Sequence, residues 1–487
     1  MYKRIKIQTG TDALKLTFSK VATMLISLVS SMLLSRFRSL TEYGTYSQLL
    51  MAINLVCSAL MLGLPNSLNY FIAKAESQEE KDKFLSVYYT LSTILSFFTG
   101  LVLVISTPLL EVIFDNSLIG KFWYFLALFP WTKIIMSSVE NLLISFRKTG
   151  TMMLYRFLNS LALLGIIILV ELFDGSFGIY MILYLAVEGI FTIWVYLLAK
   201  FNTEQFKPLL QKSIIKTLLV FSIPLGIASM VGTINVELDK FVIGLFFTTE
   251  EMAIYTNASK ELPITIISSS LTAILLPQIV RLLKEEKKEE VVVLWGSAIT
   301  LSFCIICFFA AGCFVFAPEV IRVLYSDKYL SGTEVFRVYC VVLLLRCTYF
   351  GMLLNANGKT KFIFYSSIGS LVLNLGLNFL FYYLFGFIGP AIATFVSTGI
   401  MQLLQLIYSS KIVKIKFKNI FPWGNMLKIL VINGVLGIAF YFAHYYLGKV
   451  IEPIVSAILL GIIWGVCDIG LLLKMISKNW KVLNKER

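Results

Sequence analysis

The sequence predicts an all-α polytopic membrane protein of about fourteen transmembrane helices, built as two parallel six-helix lobes and a C-terminal helix pair. Three observations predict it: the length of the apolar runs, the one-sided placement of basic residues, and an internal repeat. Hydrophobic residues make up 58% of the chain and charged residues only 14%, with a mean hydropathy of +0.83. A soluble core does not need that much apolar surface, and so few charges would not keep it in solution. Runs of roughly 20 or more apolar residues match a helix that crosses about 30 Å of hydrocarbon. A membrane barrel would show alternating segments of about 10 residues, and this chain does not.

The apolar runs place spans at about 13–35, 46–71, 84–108, 122–146, 152–173 and 177–199, then 216–247, 251–281, 291–317, 334–355, 360–385 and 387–409. A last pair covers about 426–447 and 451–474. The lobes are thus expected at 1–206 and 207–418, with 419–487 holding the extra pair and a basic tail. The first run is too long for a cleavable signal and is expected to remain as the first span.

With the N-terminus in the cytoplasm, most of the 42 Lys and Arg residues fall on the cytoplasmic side. They include the N-terminal arm (Lys3, Arg4, Lys6, Lys15, Lys20) and the tail from Lys474 onward. This asymmetry predicts an even number of spans with both termini inside. The net charge of +14 therefore reflects topology and attraction to anionic lipid heads, and no nucleic-acid partner is expected.

Shifting the chain against itself by 209 to 212 residues aligns Tyr46 with Tyr255, Pro65 with Pro277 and Pro108 with Pro318. The same shift aligns Lys148-Thr149 with Lys359-Thr360 and Phe177-Gly178-Ile179 with Ile388-Gly389-Pro390. A unit of six spans returns the chain to its starting side, so both copies share one orientation. Such lobes are related by an axis along the membrane normal, a basis for alternating access.

No enzyme signature survives inspection. Asn357-Gly358-Lys359-Thr360 resembles the end of a phosphate loop, but Gly351 is misplaced and no strand precedes it. Cys304 and Cys307 have a C-x-x-C spacing but no second pair, so no metal is expected and core packing is the simpler reading. The single histidine, His444, sits among tyrosines near a span end, where an interfacial role is expected. The sequon at Asn257 lies in an expected span and is discounted.

Ionisable residues in apolar spans cost several kcal/mol unless they meet a partner or a wet cavity, which makes each a functional candidate. Lys133 and Glu140 lie two turns apart on the fourth span, and Glu188 is in the sixth. Asp239 ends the core of the seventh span, and Lys260-Glu261 lie about ten residues into the eighth. Arg346 falls in the tenth, Asp468 in the fourteenth, and Arg36 and Arg38 follow the first. Pairing within the membrane, or snorkelling to its surface, is the plainer account of any one of them and suits Asp468 best. Taken together, Lys133, Lys260 and Arg346 point to an anionic substrate, because buried but hydrated cations bind phosphate strongly.

Residues 222–282 (SIPLGIASMVGTINVELDKFVIGLFFTTEEMAIYTNASKELPITIISSSLTAILLPQIVRL) and 33–50 (LLSRFRSLTEYGTYSQLL) resemble polysaccharide-biosynthesis flippases. That group includes O-antigen and capsule repeat-unit flippases and the related lipid II flippases, in the superfamily of the multidrug and toxin extrusion transporters. The matching positions are Ser222, Pro224, Asn235, Asp239, Tyr255, Ala258, Lys260 and Pro277. The resemblance implies export of a polyprenyl-diphosphate-linked oligosaccharide across a bacterial cytoplasmic membrane, through a cationic cavity. It implies that Lys260, with Arg36 and Arg38, binds pyrophosphate or sugars; Lys133 and Arg346 join them from the burial argument. Glu140, Glu188, Asp239 and Glu261 are candidates for ion coupling or pairing, with an H+ or Na+ gradient as energy source and no cofactor. Expected partners are the lipid-linked glycan, membrane lipids and a polysaccharide polymerase with its chain-length machinery, and the flippase itself is expected to be a monomer. The alternative is an ion-coupled drug antiporter of the same superfamily, which would need a net acidic cavity. A major-facilitator porter would need a basic motif where this chain has KAESQEEKDK, and a membrane glycosyltransferase would need a long external loop.

Overall fold

The computed structural model describes the backbone of residues 2–485 and the side chains of residues 20–484. Lys3, Arg4, Lys6 and Lys15 of the basic arm, and the last residues of the basic tail, lie outside the described side chains. All regular structure among the described residues is helical. The first stretch comprises α1 (Tyr2–Phe37), α2 (Leu40–Leu60), α3 (Leu64–Lys74), α4 (Gln78–Ile105), α5 (Thr107–Ile113), α6 (Leu118–Lys121), α7 (Trp123–Met136), α8 (Val139–Ser145), α9 (Thr149–Leu172), α10 (Phe177–Lys200) and α11 (Lys212–Phe246). Next come α12 (Thr249–Ala258), α13 (Ile266–Lys284), α14 (Lys288–Val315), α15 (Ala317–Leu324), α16 (Thr333–Leu344), α17 (Met352–Ala356), α18 (Thr360–Phe385), α19 (Gly389–Val413) and α20 (Phe417–Ile420). The C-terminal pair is α21 (Trp423–Leu447) and α22 (Pro453–Lys485).

Ten helical stretches among the described residues are long and apolar enough to cross a membrane, or up to eleven if the bent pair α2–α3 forms one span. The expected count of about fourteen differs for a physical reason. The fourth and tenth spans are broken into α7–α8 and α16–α17, so neither presents one continuous helix of spanning length. The eighth, Thr249–Lys284, is one of the ten although a non-helical segment and a single 3₁₀ turn at Pro263–Thr265 separate α12 from α13. The 54-residue stretch Thr360–Val413, by contrast, holds two helices, α18 and α19, that pack on each other.

Two compact units emerge, Met1–Ala253 and Ile254–Arg487. In the first, α4, α7, α8, α9 and α10 bury Leu85, Tyr88, Tyr89, Ile135, Leu142, Tyr155 and Val195. The α10–α11 connection, in which the expected lobe boundary falls, is strapped along α4. Asp82 accepts from the backbone nitrogens of Glu204 and Gln205 at 2.9 and 2.8 Å, and Thr90 from that of Leu209 at 3.0 Å. Helix α11 then packs on α2 and α3. The contact is close because Gly63, at φ 69°, ends the bend between α2 and α3; a Cβ there would lie 2.4 Å from the Gly226 nitrogen. Small residues serve helix association in lipid, where apolar burial between helices gains little and backbone approach gains more.

In the second unit α14 is the most enclosed span, with α13, α16, α21 and α22 against it and Trp295, Ile299 and Phe303 in the core. The faces turned away from the cores carry Leu172, Val236, Val435 and Ile462, exposed apolar residues suited to lipid. The repeat is visible in the backbone as well as in the sequence. Positive φ angles recur at Asp115 and Ser326, Arg147 and Gly358, and Asp174 and Gly386, each pair 211 or 212 residues apart. Short helices α5 and α15 both carry a proline in the first turn, Pro108 or Pro318, where a missing N–H costs no intrahelical bond.

Candidate functional site

The sequence candidates fall into separate clusters within each unit. In the first, Lys133 of α7 donates to Asn54 Oδ1 of α2. Asn54 Nδ2 donates to Glu237 Oε1 of α11 at 2.8 Å, and Lys240 Nζ lies 3.2 Å from Glu237 Oε2. This relay ties three helices together and alternates charge, so each buried ion meets an opposite charge or an amide. Glu188 also lies within electrostatic reach of Lys133, while its Oε1 accepts from Asn159 at 3.2 Å. Asp239 is buried beside the relay in sequence, and its Oδ1 accepts from the Lys240 backbone nitrogen at 2.8 Å.

Glu140 belongs to a different cluster. The Ser137–Ser138 break between α7 and α8 interrupts the helical face on which Lys133 and Glu140 were expected to align. Glu140 pairs with Arg156 of α9 and, at 3.3 Å, with Lys20 of α1. Arg38 is a corner tie: its Nη1 donates to the Gly175 carbonyl at 3.0 Å and its Nη2 lies 3.6 Å from Glu171. Arg36 is exposed in the last turn of α1.

The second unit gathers Lys260, Glu261 and Arg346. Lys260 and Glu261 do not lie within a continuous helix as the run length suggested; both occupy the break between α12 and α13 and are exposed. Arg346 lies in the break between α16 and α17, where its Nη2 meets Glu261 Oε1 at 2.8 Å. Its Nε is buried with no hydrogen-bond partner among the described residues. Two interrupted helices thus bring two cations and one carboxylate around a small recess lined also by Phe336 and Tyr339. The formal sum is one excess positive charge, an arrangement suited to an anion.

Asn54, Lys20, Arg156 and Asn159 were not among the sequence candidates, whereas Glu237, just before Asp239-Lys240 at the end of the seventh span's core, carried the signal of a charge in an apolar run. Their signal, a lone polar residue within an apolar span, was present for Asn54 and Asn159, but the partner helices were not legible. Two other polar residues of the spans are accounted for by packing. Asp468 accepts from Asn433 at 2.9 Å and so joins α21 to α22, while His444 bridges Glu319 at 3.3 Å and Ser456 at 3.0 Å. No cluster able to hold a metal ion occurs among the described residues.

The sequence profile of the polysaccharide biosynthesis protein family matches residues 33–334, more than half of the chain, with Lys20, Arg346, His444 and Asp468 outside it. The chain belongs to this family. A family relative, the probable low-salt glycan biosynthesis flippase Agl15 of Haloferax volcanii, is 23% identical over 240 residues. That match covers 49% of this chain and 50% of the relative, so it spans about half the length of the curated protein. Among solved structures, the lipid II flippase MurJ in an inward closed conformation gives a TM-score of 0.73 at 16% identity, covering 95% of this chain and 99% of that one. An inward-facing multidrug resistance MATE family transporter of the MOP superfamily gives 0.65 at 17% identity, covering 80% and 94%. At these identities the two structures establish the fold that the family shares with membrane transporters.

Proposed function

We propose that the protein is a flippase that carries a polyprenyl-diphosphate-linked oligosaccharide from the cytoplasmic to the outer leaflet by alternating access, without covalent chemistry. The observation that carries this reading is that two cations, Lys260 and Arg346, are both set where helices are interrupted. Irregular backbone at membrane depth persists where it is buried in protein or lines a wet cavity, and this is where transporters place substrate groups. The family match and the flippase relative support a glycan substrate. The bidentate fork of Arg346 and the point charge of Lys260 suit a diphosphate, while Glu261 holds Arg346 in place until the substrate arrives. Asp239, Glu188 and Glu140 remain candidates for coupling to an H+ or Na+ gradient, each already engaged by hydrogen bonds or ion pairs. The setting is a bacterial cytoplasmic membrane with both termini inside, in keeping with the basic loops. An O-antigen or capsule-type repeat unit is the proposed cargo, passed on to a polymerase, and the monomer is the working unit.

A multidrug antiporter has one observation in its favour, the MATE-like fold. The cation excess in the second unit argues against it, because cationic drugs need an acidic site.

The test is export of polysaccharide in cells whose own flippase gene is deleted and replaced by this one. Lys260→Ala and Arg346→Ala should abolish export with the protein still present in the membrane. Normal export by both variants would remove the diphosphate role. For orientation, Lys359→Cys and Val450→Cys in a cysteine-free background should react with impermeant reagent from the cytoplasmic and outer sides respectively. The reverse pattern would overturn the topology.

A further inference from the structure

A second feature of the Ile254–Arg487 unit lies apart from Lys260 and Arg346. Helices α14, α16 and α21 line an open groove of about 630 Å³. Its floor is made of small residues, Ala310 and Ala311 of α14 and Gly434 of α21. A Cβ added at Gly434 would meet nothing within 4 Å, so the space is real and unfilled by protein. Leu430 to Tyr441 run along α21 for roughly 16 Å at 1.5 Å per residue, close to the ~15 Å thickness of one leaflet's hydrocarbon.

One end of the groove is charged. Arg337 Nη1 donates to Glu334 Oε1 at 2.5 Å, and its Nε donates to the Phe314 carbonyl at 3.3 Å. The guanidinium also lies 5.7 Å from the centre of the Phe314 ring, which fixes it over the groove mouth. Glu334 is 64% exposed, so its carboxylate stays open to a second partner. Tyr441 and Phe442 are exposed at the same end, the kind of residues that sit at the headgroup level of a membrane.

We propose that this groove is a binding site for a zwitterionic aminophospholipid, one acyl chain lying along α21 with the phosphate on Arg337 and the ammonium on Glu334. The charge pattern selects this occupant. The fixed Arg–Glu pair sums to zero and is dipolar, matching a headgroup that carries one phosphate and one ammonium. A lipid with a diphosphate head, or a purely anionic one, would place its phosphate beside the Glu334 carboxylate with no compensating cation.

The experiment is native mass spectrometry of the full-length chain, stripped of lipid and offered equimolar phosphatidylethanolamine and phosphatidylglycerol. The expected result is one retained phosphatidylethanolamine. Gly434→Leu, which fills the groove without a backbone clash, and Arg337→Gln should each lower that retention by about tenfold, the scale of one charge-assisted contact. Glu334→Gln should shift preference toward phosphatidylglycerol, and carries the test with Arg337→Gln should Gly434→Leu fail to fold. Unchanged phosphatidylethanolamine retention in folded Gly434→Leu would overturn the proposal. So would a wild-type preference for phosphatidylglycerol, or retention of no lipid at all. None of these outcomes bears on glycan export, so the two readings fail separately.

Discussion

The charges of the two units are arranged on opposite principles. In the first, Lys133, Asn54, Glu237 and Lys240 form a relay across α7, α2 and α11, and Lys20, Glu140 and Arg156 form a second cluster across α1, α8 and α9. Each draws its ions from within helices and sets one carboxylate between two cations. In the second, the same complement of two cations and one carboxylate, Lys260, Arg346 and Glu261, sits at two helix breaks and is exposed or half-exposed. A duplicated scaffold thus carries one set of charges that fastens helices and another that the proposed function assigns to a ligand. Charge inside a membrane protein is therefore not one signal but two, separated by whether the residue lies within a helix or in a break between helices.

The strongest way to break this contrast is to remove a ligand-type cation and a fastening-type ion in parallel. Arg346→Ala should cut glycan export by at least about tenfold, the loss of a bidentate phosphate contact, while its melting temperature in detergent stays near wild type. Glu237→Ala should do the reverse in kind. Stranding Lys133 and Lys240 next to each other without their carboxylate should cost about 3 kcal/mol of stability, read as a fall in thermal or denaturant midpoint. A stable Glu237→Ala that fails only in export would move the first unit's relay into the site. Asp468→Leu should cost about 1–2 kcal/mol, because Asn433 loses its acceptor in a buried place; a change in export larger than the change in folded protein would contradict the packing role. The smallest effect is expected at Arg38→Ala. Its partner Glu171 is 42% exposed, so the ion pair contributes under about 1 kcal/mol and the Gly175 contact supplies the rest.

Much of the fold was legible because the bilayer imposes run length. The repeat was legible at prolines and at the Lys148 and Lys359 helix starts, where the structure places similar backbone angles, φ −100° and −87°. The helix breaks were not, although two carried a readable mark. Leu64-Pro65 and Leu262-Pro263 each put a residue before proline, where the α conformation is disfavoured. Reading Pro263 in that way would have moved Lys260 out of a continuous span. The Ser137–Ser138 break has no such mark, so Lys133 and Glu140 were set on one face by a periodicity that the backbone does not keep. Pairing partners were illegible for a different reason. Asn54 and Glu237 are 183 residues apart, and only helix packing, which no local pattern encodes, makes them neighbours.

The strap along α4 has a consequence for how such a chain can be taken apart. Asp82, Ser86 and Thr90 hold the backbone nitrogens of Glu204, Gln205, Lys207 and Leu209, so the segment joining the two sequence repeats is bound into the first of them. Those amides should exchange slowly with solvent, and a protease should find little slack there despite the surface position. Swapping halves between relatives at this junction would part a tether from its post. A graft that keeps α4 and the strap from one parent should express better than one that divides them.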